Sequence, residues 1–354
     1  MPSTEDTPGP TAPDTPAPDI PAHVRELRSG RRGRPVEVQG PAAAELGRLA
    51  ESPGQIPWRG WRSVLRRTFR EMISDRISLV AAGCAFYATL ALFPAISMLV
   101  SVYGLAFDPV TVEPQLQTLR QLLPPEAFTL IADRVHTLVT RPTQTLGLGL
   151  VISALITLWS AATGTKSILG ALNLAYEETE QRSILRFQLV AFLITLGAIL
   201  GAVVGLALLV ALPAALAFIG LSAYAKNLIR IASLGVLLLF VLAALSLLYR
   251  FGPSRRPAKW HWVTPGSLLA TVLWLAGSAL FSWYVGSVAS YDATYGPLGA
   301  VIGVMMWFWV SVFVVLLGAE LNAELELQTV RDSTEGAPKP MGHRGAFVAD
   351  HVAK

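Results

Sequence analysis

The chain has 354 residues, of which 53% are hydrophobic and only 15% are charged, with a formal net charge of +4. A soluble domain carries about 25% charged residues, so this composition excludes an ordinary soluble domain. The single cysteine, Cys84, excludes a disulfide framework and a CxxC redox or zinc motif within one chain.

Residues 1–57 hold eleven of the 24 prolines. Such a segment cannot bury enough apolar surface to offset the entropy lost on ordering, so we predict a disordered cytoplasmic tail. It has no early apolar region, which excludes a secretory signal peptide. The basic patch at residues 25–34 either touches lipid headgroups or stays solvated.

Between residues 58 and 76, apolar residues recur every three or four positions, with arginines among them. The apolar positions are Trp61, Leu65, Phe69, Met72 and Ile73. This pattern predicts an N-terminal amphipathic helix that lies in the membrane interface. The alternative is that its apolar stripe packs on the cytoplasmic end of the other helices. The six arginines here are typical of topology signals and anionic-lipid anchors, so we expect no nucleic-acid partner.

Six long apolar segments follow, and a bilayer core of about 30 Å needs roughly 20 such residues. They cover residues 79–104, 146–163, 187–212, 228–249, 263–287 and 298–319. Arg230 is the only Asp, Glu, Lys or Arg in any of them. Since a helix satisfies its own backbone in lipid, we predict an all-α bundle of six transmembrane helices. We predict a membrane domain of residues 58–327 and a second disordered cytoplasmic tail of residues 328–354.

Lysine and arginine are enriched before the first segment and after the second and fourth, whereas residues 288–297 have neither. This asymmetry predicts that both termini are cytoplasmic. The longer outer loop, residues 106–145, carries charges of both signs and a periodic apolar run. We expect it to form one or two short helices on the outer face.

Small residues predict where the helices approach one another closely. Glycines recur every fourth residue in the third and sixth segments, at Gly197, Gly201, Gly205, Gly299 and Gly303. Pro94 lies in the middle of the first segment and predicts a kink, because proline removes a helix hydrogen bond. The kink either fits a neighbouring helix, which we favour, or opens a cavity.

The sequence contains no motif with the residue spacing of a known catalytic or metal-binding site. The five histidines are scattered over tails and loops, and no HExxH motif occurs. Residues 164–167 resemble the end of a phosphate loop but lack the glycines of that motif. We therefore predict no catalytic residue, metal site or cofactor.

Polar residues at the predicted cytoplasmic boundary are better candidates for function. Lys166 follows the second segment, and Glu320, Asn322 and Glu324 follow the sixth. Ionisable groups near membrane depth are by default candidates for a functional site. The alternative is that they extend to the interface and mark the boundary. Lys166 is the natural partner for Glu320, because a carboxylate partly removed from water is costly unless it is paired.

Several short motifs together are typical of a known family. They are Ala85-Phe86-Tyr87, Leu92-Phe93-Pro94, Leu158-Trp159-Ser160-Ala161, residues 171–176 with Asn173 and Tyr176, residues 249–253 with Arg250, Thr264-Pro265-Gly266-Ser267, Tyr291, residues 295–299 with Tyr295, and residues 318–326. In their order and spacing, residues 60–327 resemble the YihY/virulence factor BrkB family. Tyr291 and Tyr295 also fit an aromatic belt at the membrane interface. The candidate functional residues are therefore Lys166, Asn173, Tyr176, Arg250, Tyr291, Tyr295, Glu320, Asn322 and Glu324.

This resemblance implies six membrane helices in the bacterial inner membrane and a role in envelope integrity or virulence. It implies transport or flipping of a lipid or amphiphile, with membrane lipids as partners. The alternative is a non-transporting scaffold for envelope machinery. Members were once labelled ribonuclease BN, which the residues do not support, so we predict that the protein is not an enzyme. The scarcity of strongly polar residues in the segments disfavours a hydrophilic substrate.

Overall fold

The computed structural model describes residues 41–106, 148–206, 208, 222–287 and 298–353. In these ranges the regular structure is helical, and pairing of the strand type is limited to the isolated bridge between Ala258 and Thr334. The helices are α1 (Pro41–Glu45), α2 (Trp58–Ser74), α3 (Ile77–Ala106), α4 (Leu148–Ala175), α5 (Ile184–Leu206), α6 (Ala223–Phe251), α7 (Trp260–Ser287), α8 (Leu298–Glu326) and α9 (Phe347–Asp350), with a 3-10 turn at Pro53–Gln55.

Four of the described helices are long and apolar enough to cross a membrane. Their qualifying stretches are Ile184–Gly205, Asn227–Phe251, Trp260–Tyr284 and Val301–Glu326. A fifth is added if Trp58–Ser74 and Ile77–Leu92, which meet at an angle of 61°, are counted as one bent span. Arg76 causes the bend, since its φ of 50° is left-handed and interrupts the helix. The prediction of several apolar membrane helices is confirmed, and the count of six stays a prediction.

Helix α8 lies at the centre of the described residues. It contacts α2, α3, α4 and α7. The approach to α7 is close because both helices carry glycine there. A Cβ atom on Gly318 would lie 2.6 Å from the carbonyl oxygen of Gly266 and 2.5 Å from Tyr249 Oη. Any side chain at Gly318 would therefore separate the helices.

Two helices extend well beyond the predicted segments. Helix α4 ends at Ala175 rather than at residue 163, and α8 ends at Glu326 rather than at residue 319. Lys166, Glu320 and the polar residues that follow Glu320 are consequently helical. Hydropathy locates the apolar part of a helix, whereas the helix itself continues for as long as other elements pack around it.

The glycines predicted to lie at helix contacts have different surroundings in the structure. A Cβ on Gly201 would meet the Phe240 ring of α6 at 2.5 Å, and one on Gly205 would meet Leu237 at 3.6 Å. Gly299 is buried. By contrast, a Cβ on Gly197 or Gly303 would have no described atom within 4 Å. The surroundings of these glycines thus differ although their spacing is the same, and their role in helix packing stays a prediction.

The expected disordered tail at residues 328–354 is corrected by the structure, in which residues 328–353 pack against the ends of the helices. Arg344 is 6% exposed and donates to the carbonyl oxygens of Val330 and Ala349 at 2.7 and 2.6 Å. This tail also contacts residues 41–57, since the Val330 amide donates to Arg48 O at 2.8 Å. The two segments are held by these hydrogen bonds and by apolar contacts, since Ala50, Ile56 and Val348 belong to the buried hydrophobic core.

Some predicted features lie outside the described residues. They are the first 40 residues, the short outer helices of residues 106–145, Tyr291 and Tyr295. Pro94 lies within the bounds of α3, but its side chain is also outside the description.

Candidate functional site

The last two turns of α8 carry four polar residues, and all of them are buried. Glu320, Asn322, Glu324 and Glu326 are exposed by 2% or less. Successive members are two residues apart, so they project in nearly opposite directions from a helix of 3.6 residues per turn. Protein therefore surrounds this end of α8 on every side, and each polar group must find its partner there.

Glu324 pairs with an arginine of α2. Arg67 Nε donates to Glu324 Oε2 at 2.5 Å, and Arg67 Nη2 donates to Gln328 Oε1 at 2.7 Å. Side-chain exposure is 10% for Arg67 and 3% for Glu324. The carboxylate of Glu324 is therefore buried within the protein, where it fastens α2 to α8.

Glu326 forms the most deeply buried ion pair of the described residues, with Arg255 of the loop between α6 and α7. The two side chains are each 0% exposed and meet through two hydrogen bonds of 2.7 and 3.1 Å. Ser333 of the tail donates to the same carboxylate at 2.6 Å. The Arg255 guanidinium also lies 4.3 Å from the ring centroid of Tyr176. Burial alone would lower the pKa of Arg255, but the adjacent Glu326 carboxylate outweighs it, and the pKa is raised.

Asn322 joins α8 to the first turns of α7. Its Oδ1 accepts from the Gly266 amide at 2.8 Å, and its Nδ2 donates to Val263 O at 3.1 Å. A Cβ on Gly266 would lie 2.6 Å from the Asn322 amide carbon, so only glycine leaves room for this side chain. The Thr264-Pro265-Gly266-Ser267 motif therefore positions two helices.

Asn173 links two loops at the same end of the structure. It accepts from the Ser254 amide at 2.7 Å and donates to Glu180 Oε2 at 2.9 Å. Arg182 donates to both oxygens of Glu180, each at 2.7 Å. Burial opposes ionisation of Glu180, but the hydrogen bonds from Arg182 and Asn173 prevail and lower its pKa to about 2.

Arg250 and Tyr249 also hold the backbone in place. Arg250 donates to Ala258 O at 2.8 Å, pairs with Glu335 of the tail at 2.8 Å and lies 4.3 Å from the centroid of Trp260. Tyr249 Oη donates to Val315 O of α8 at 2.7 Å. These two residues connect α6, α7, α8 and the tail. Tyr176 and Tyr249 are both 0% exposed.

Lys166 stands apart from this network. Its ammonium donates to Gln188 Oε1 of α5 at 3.0 Å and lies 5.2 Å from the centroid of the Trp159 ring. Neither partner carries a negative charge. Glu320 is 2% exposed. Because the described contacts of Lys166 are with α4 and α5, its pairing with Glu320 stays a prediction.

The sequence reasoning missed Arg67, Arg255 and Glu326 as members of the network. Arg67 was grouped with the other arginines of α2, which are exposed, and its burial depends on where α8 lies. Glu326 continues the alternating polar pattern of α8, and that pattern was the available signal. Within the described ranges, no group of three His, Cys, Asp or Glu residues could hold a metal ion.

Comparisons with known proteins agree with the motifs. A family model described as virulence factor BrkB matches residues 68–342. YfkH of Bacillus subtilis, whose name calls it ribonuclease-like, is 32% identical over 74% of this chain and 95% of its own length. A UPF0761 membrane protein of Haemophilus influenzae is 23% identical over 73% of this chain and 93% of its own length. Another, from Histophilus somni, is 28% identical over 73% and 89%. No solved structure matches the chain significantly.

Proposed function

The chain belongs to the virulence factor BrkB family, as its motifs predicted, and from this premise we propose that it transports or flips a lipid or amphiphile and supports envelope integrity. We place it in the bacterial inner membrane with six spans and both termini in the cytoplasm. The proposal includes no enzymatic activity, although the name of YfkH mentions a ribonuclease.

One observation carries the proposal: the ionisable groups of the four qualifying helices lie near helix ends. Arg186 and Arg230 are near the start of α5 and α6, and the acidic residues of α8 lie within about two turns of its C-terminus. The middle of these helices is apolar, with exposed leucines on α5 and α6. A hydrophilic solute would need polar groups along its whole path, whereas a lipid keeps its acyl chains in the bilayer.

Helix α2 supports a position against the membrane surface. Its buried face, which includes Val64 and Arg67, packs on α8. Trp58, Leu65, Phe69 and Ile73 lie on the other face and are 46–74% exposed. Exposed aromatic and aliphatic side chains among arginines are suited to the interface of an anionic bilayer. We propose that α2 lies there.

The scaffold alternative rests on a different observation. The polar network joins α2, α8, the tail and residues 41–57 through buried hydrogen bonds. Such networks rigidify a structure. A rigid platform at the cytoplasmic end would serve to hold envelope machinery.

The deciding experiment has two parts. The lipid composition of each leaflet is measured in a deletion strain, and the purified protein is reconstituted into liposomes with fluorescent phospholipids that a membrane-impermeant reductant quenches. Altered leaflets and accelerated quenching of inner-leaflet lipid support transport. Normal leaflets together with quenching no faster than in protein-free liposomes would refute it and favour the scaffold.

Topology is tested separately with reporter fusions. Fusions after Lys226 and Asp292 should report the outside, and fusions after Arg182 and Arg256 the cytoplasm. A cytoplasmic signal at Asp292 would overturn the proposed arrangement of the last two spans.

A further inference from the structure

The contact between α4 and α5 contains a buried hydrogen-bond donor that the described residues leave unused. Gln188 is 7% exposed, and its Oε1 accepts from Lys166 Nζ at 3.0 Å. The oxygen of the Gln188 amide, rather than its nitrogen, faces Lys166, because a lysine ammonium can only donate hydrogen bonds. Gln188 Nε2 is buried and donates to no described atom. Such a group is destabilising unless a partner satisfies it.

Lys166 provides a positive charge beside this donor. It is partly buried, and its described partners, Gln188 and the Trp159 ring, are both neutral. An ammonium has three hydrogens to donate, and one of them goes to Gln188. The two side chains therefore present donors and a net positive charge, which is the chemistry that recognises a phosphate oxygen.

The surface beside this pair is apolar and open. Trp159 is 56% exposed and meets Phe192 edge to face at 5.8 Å between ring centroids. Leu155, Ile156 and Leu189 are each at least 55% exposed. Trp159 lies about two turns from Lys166 along α4, on the side away from the loop that follows the helix. The charge of Lys166 thus lies towards the loop that follows α4, and the apolar surface lies towards the middle of α4 and α5.

We propose that Lys166 and Gln188 bind the phosphate of an anionic phospholipid whose acyl chains lie along the apolar surface at Trp159 and Phe192. A free phosphate ion would contact only Lys166 and Gln188 and would leave the neighbouring apolar surface uncovered. A zwitterionic lipid would bring a second cation towards Lys166. The inference deepens the proposed function by naming a lipid class and an entry site, and it rests on the proposed location of this end of α4 at the cytoplasmic surface.

The test measures lipid binding to the purified full-length protein by native mass spectrometry and by thermal shift. The probes are phosphatidylglycerol, phosphatidylcholine with the same acyl chains, and inorganic phosphate. We expect preference for phosphatidylglycerol in the wild type. Lys166→Met should weaken that binding by about tenfold or more, because a charge-assisted hydrogen bond is lost. Lys166→Arg should retain most of it. Arg186→Gln removes an exposed charge on α5, the helix that carries Gln188, and should change the binding little.

Gln188→Glu separates binding from a merely structural role. It keeps the oxygen that accepts from Lys166 and replaces the buried, unsatisfied donor with a carboxylate oxygen. The lipid-free protein should therefore keep or raise its melting temperature, while its affinity for phosphatidylglycerol falls because the carboxylate repels the phosphate. Equal affinity in the wild type and Lys166→Met would overturn the inference. So would equal loss in Arg186→Gln, or inorganic phosphate competing fully with the lipid. Lipid binding and lipid transport are measured in separate experiments. If the protein binds phosphatidylglycerol specifically but flips no lipid, the proposed transport function is refuted and the binding site is not.

Discussion

Glu326→Gln is the most informative test of the polar network, because it removes charge while preserving shape. The variant leaves the Arg255 guanidinium buried without its carboxylate, at a site where both side chains are 0% exposed. Breaking a buried pair in this way costs about 3–5 kcal/mol. At about 2–4 °C per kcal/mol, the melting temperature should fall by roughly 6–20 °C.

The assay uses the single cysteine of the chain. Cys84 is 3% exposed, so a thiol-reactive fluorescent dye should label it on unfolding in detergent. Glu45→Gln is the matched control, since Glu45 pairs with Arg59 where the side chains are 58% and 74% exposed. Exposed pairs contribute about 0–1 kcal/mol, so this control should hardly change the melting temperature.

A double variant, Arg255→Met with Glu326→Leu, examines the pairing itself. It should be less destabilised than the sum of the two single variants, because contacting residues couple by about 0.5–3 kcal/mol. Strict additivity, or a Glu326→Gln variant as stable as Glu45→Gln, would refute the reasoning that this pair fastens α8 to the loop.

Three further predictions follow from the geometry. Because the pKa of Glu180 is lowered on folding, its contribution to stability is complete above pH 4.5 and is lost as the pH falls towards 2. Glu180→Gln should therefore reduce the pH dependence of stability between those two values, as measured by acid unfolding followed by tryptophan fluorescence. Gly201→Leu should lower the melting temperature because its Cβ meets Phe240 at 2.5 Å, whereas Gly197→Leu, with no described atom within 4 Å, should not. Arg344→Ala should cost about 1–3 kcal/mol by leaving carbonyl groups of the tail unsatisfied, and faster proteolysis of residues 328–353 would report it; unchanged proteolysis would contradict the ordered tail.

Local pattern was sufficient for the membrane helices. The apolar run at residues 228–249 lies inside α6, and the run at 263–287 lies inside α7. A helix in lipid must satisfy its own backbone, so the length of an apolar run is enough to predict it. The glycine spacing did not distinguish Gly201 from Gly197, because that difference depends on where Phe240 of another helix lies.

The sequence by itself determined a membrane protein of apolar helices, its family and the polar residues at one end of α8. Only the tertiary structure decided what those residues do. Glu324 contacts Arg67, and Glu326 contacts Arg255, across 257 and 71 positions of the chain. The tertiary structure likewise orders residues 328–353, which were expected to be a disordered tail, and it places Lys166 beside Gln188. Hydropathy and periodicity act between neighbours along the chain, whereas the partner of a buried charge is set by the packing of distant elements, which no local pattern encodes.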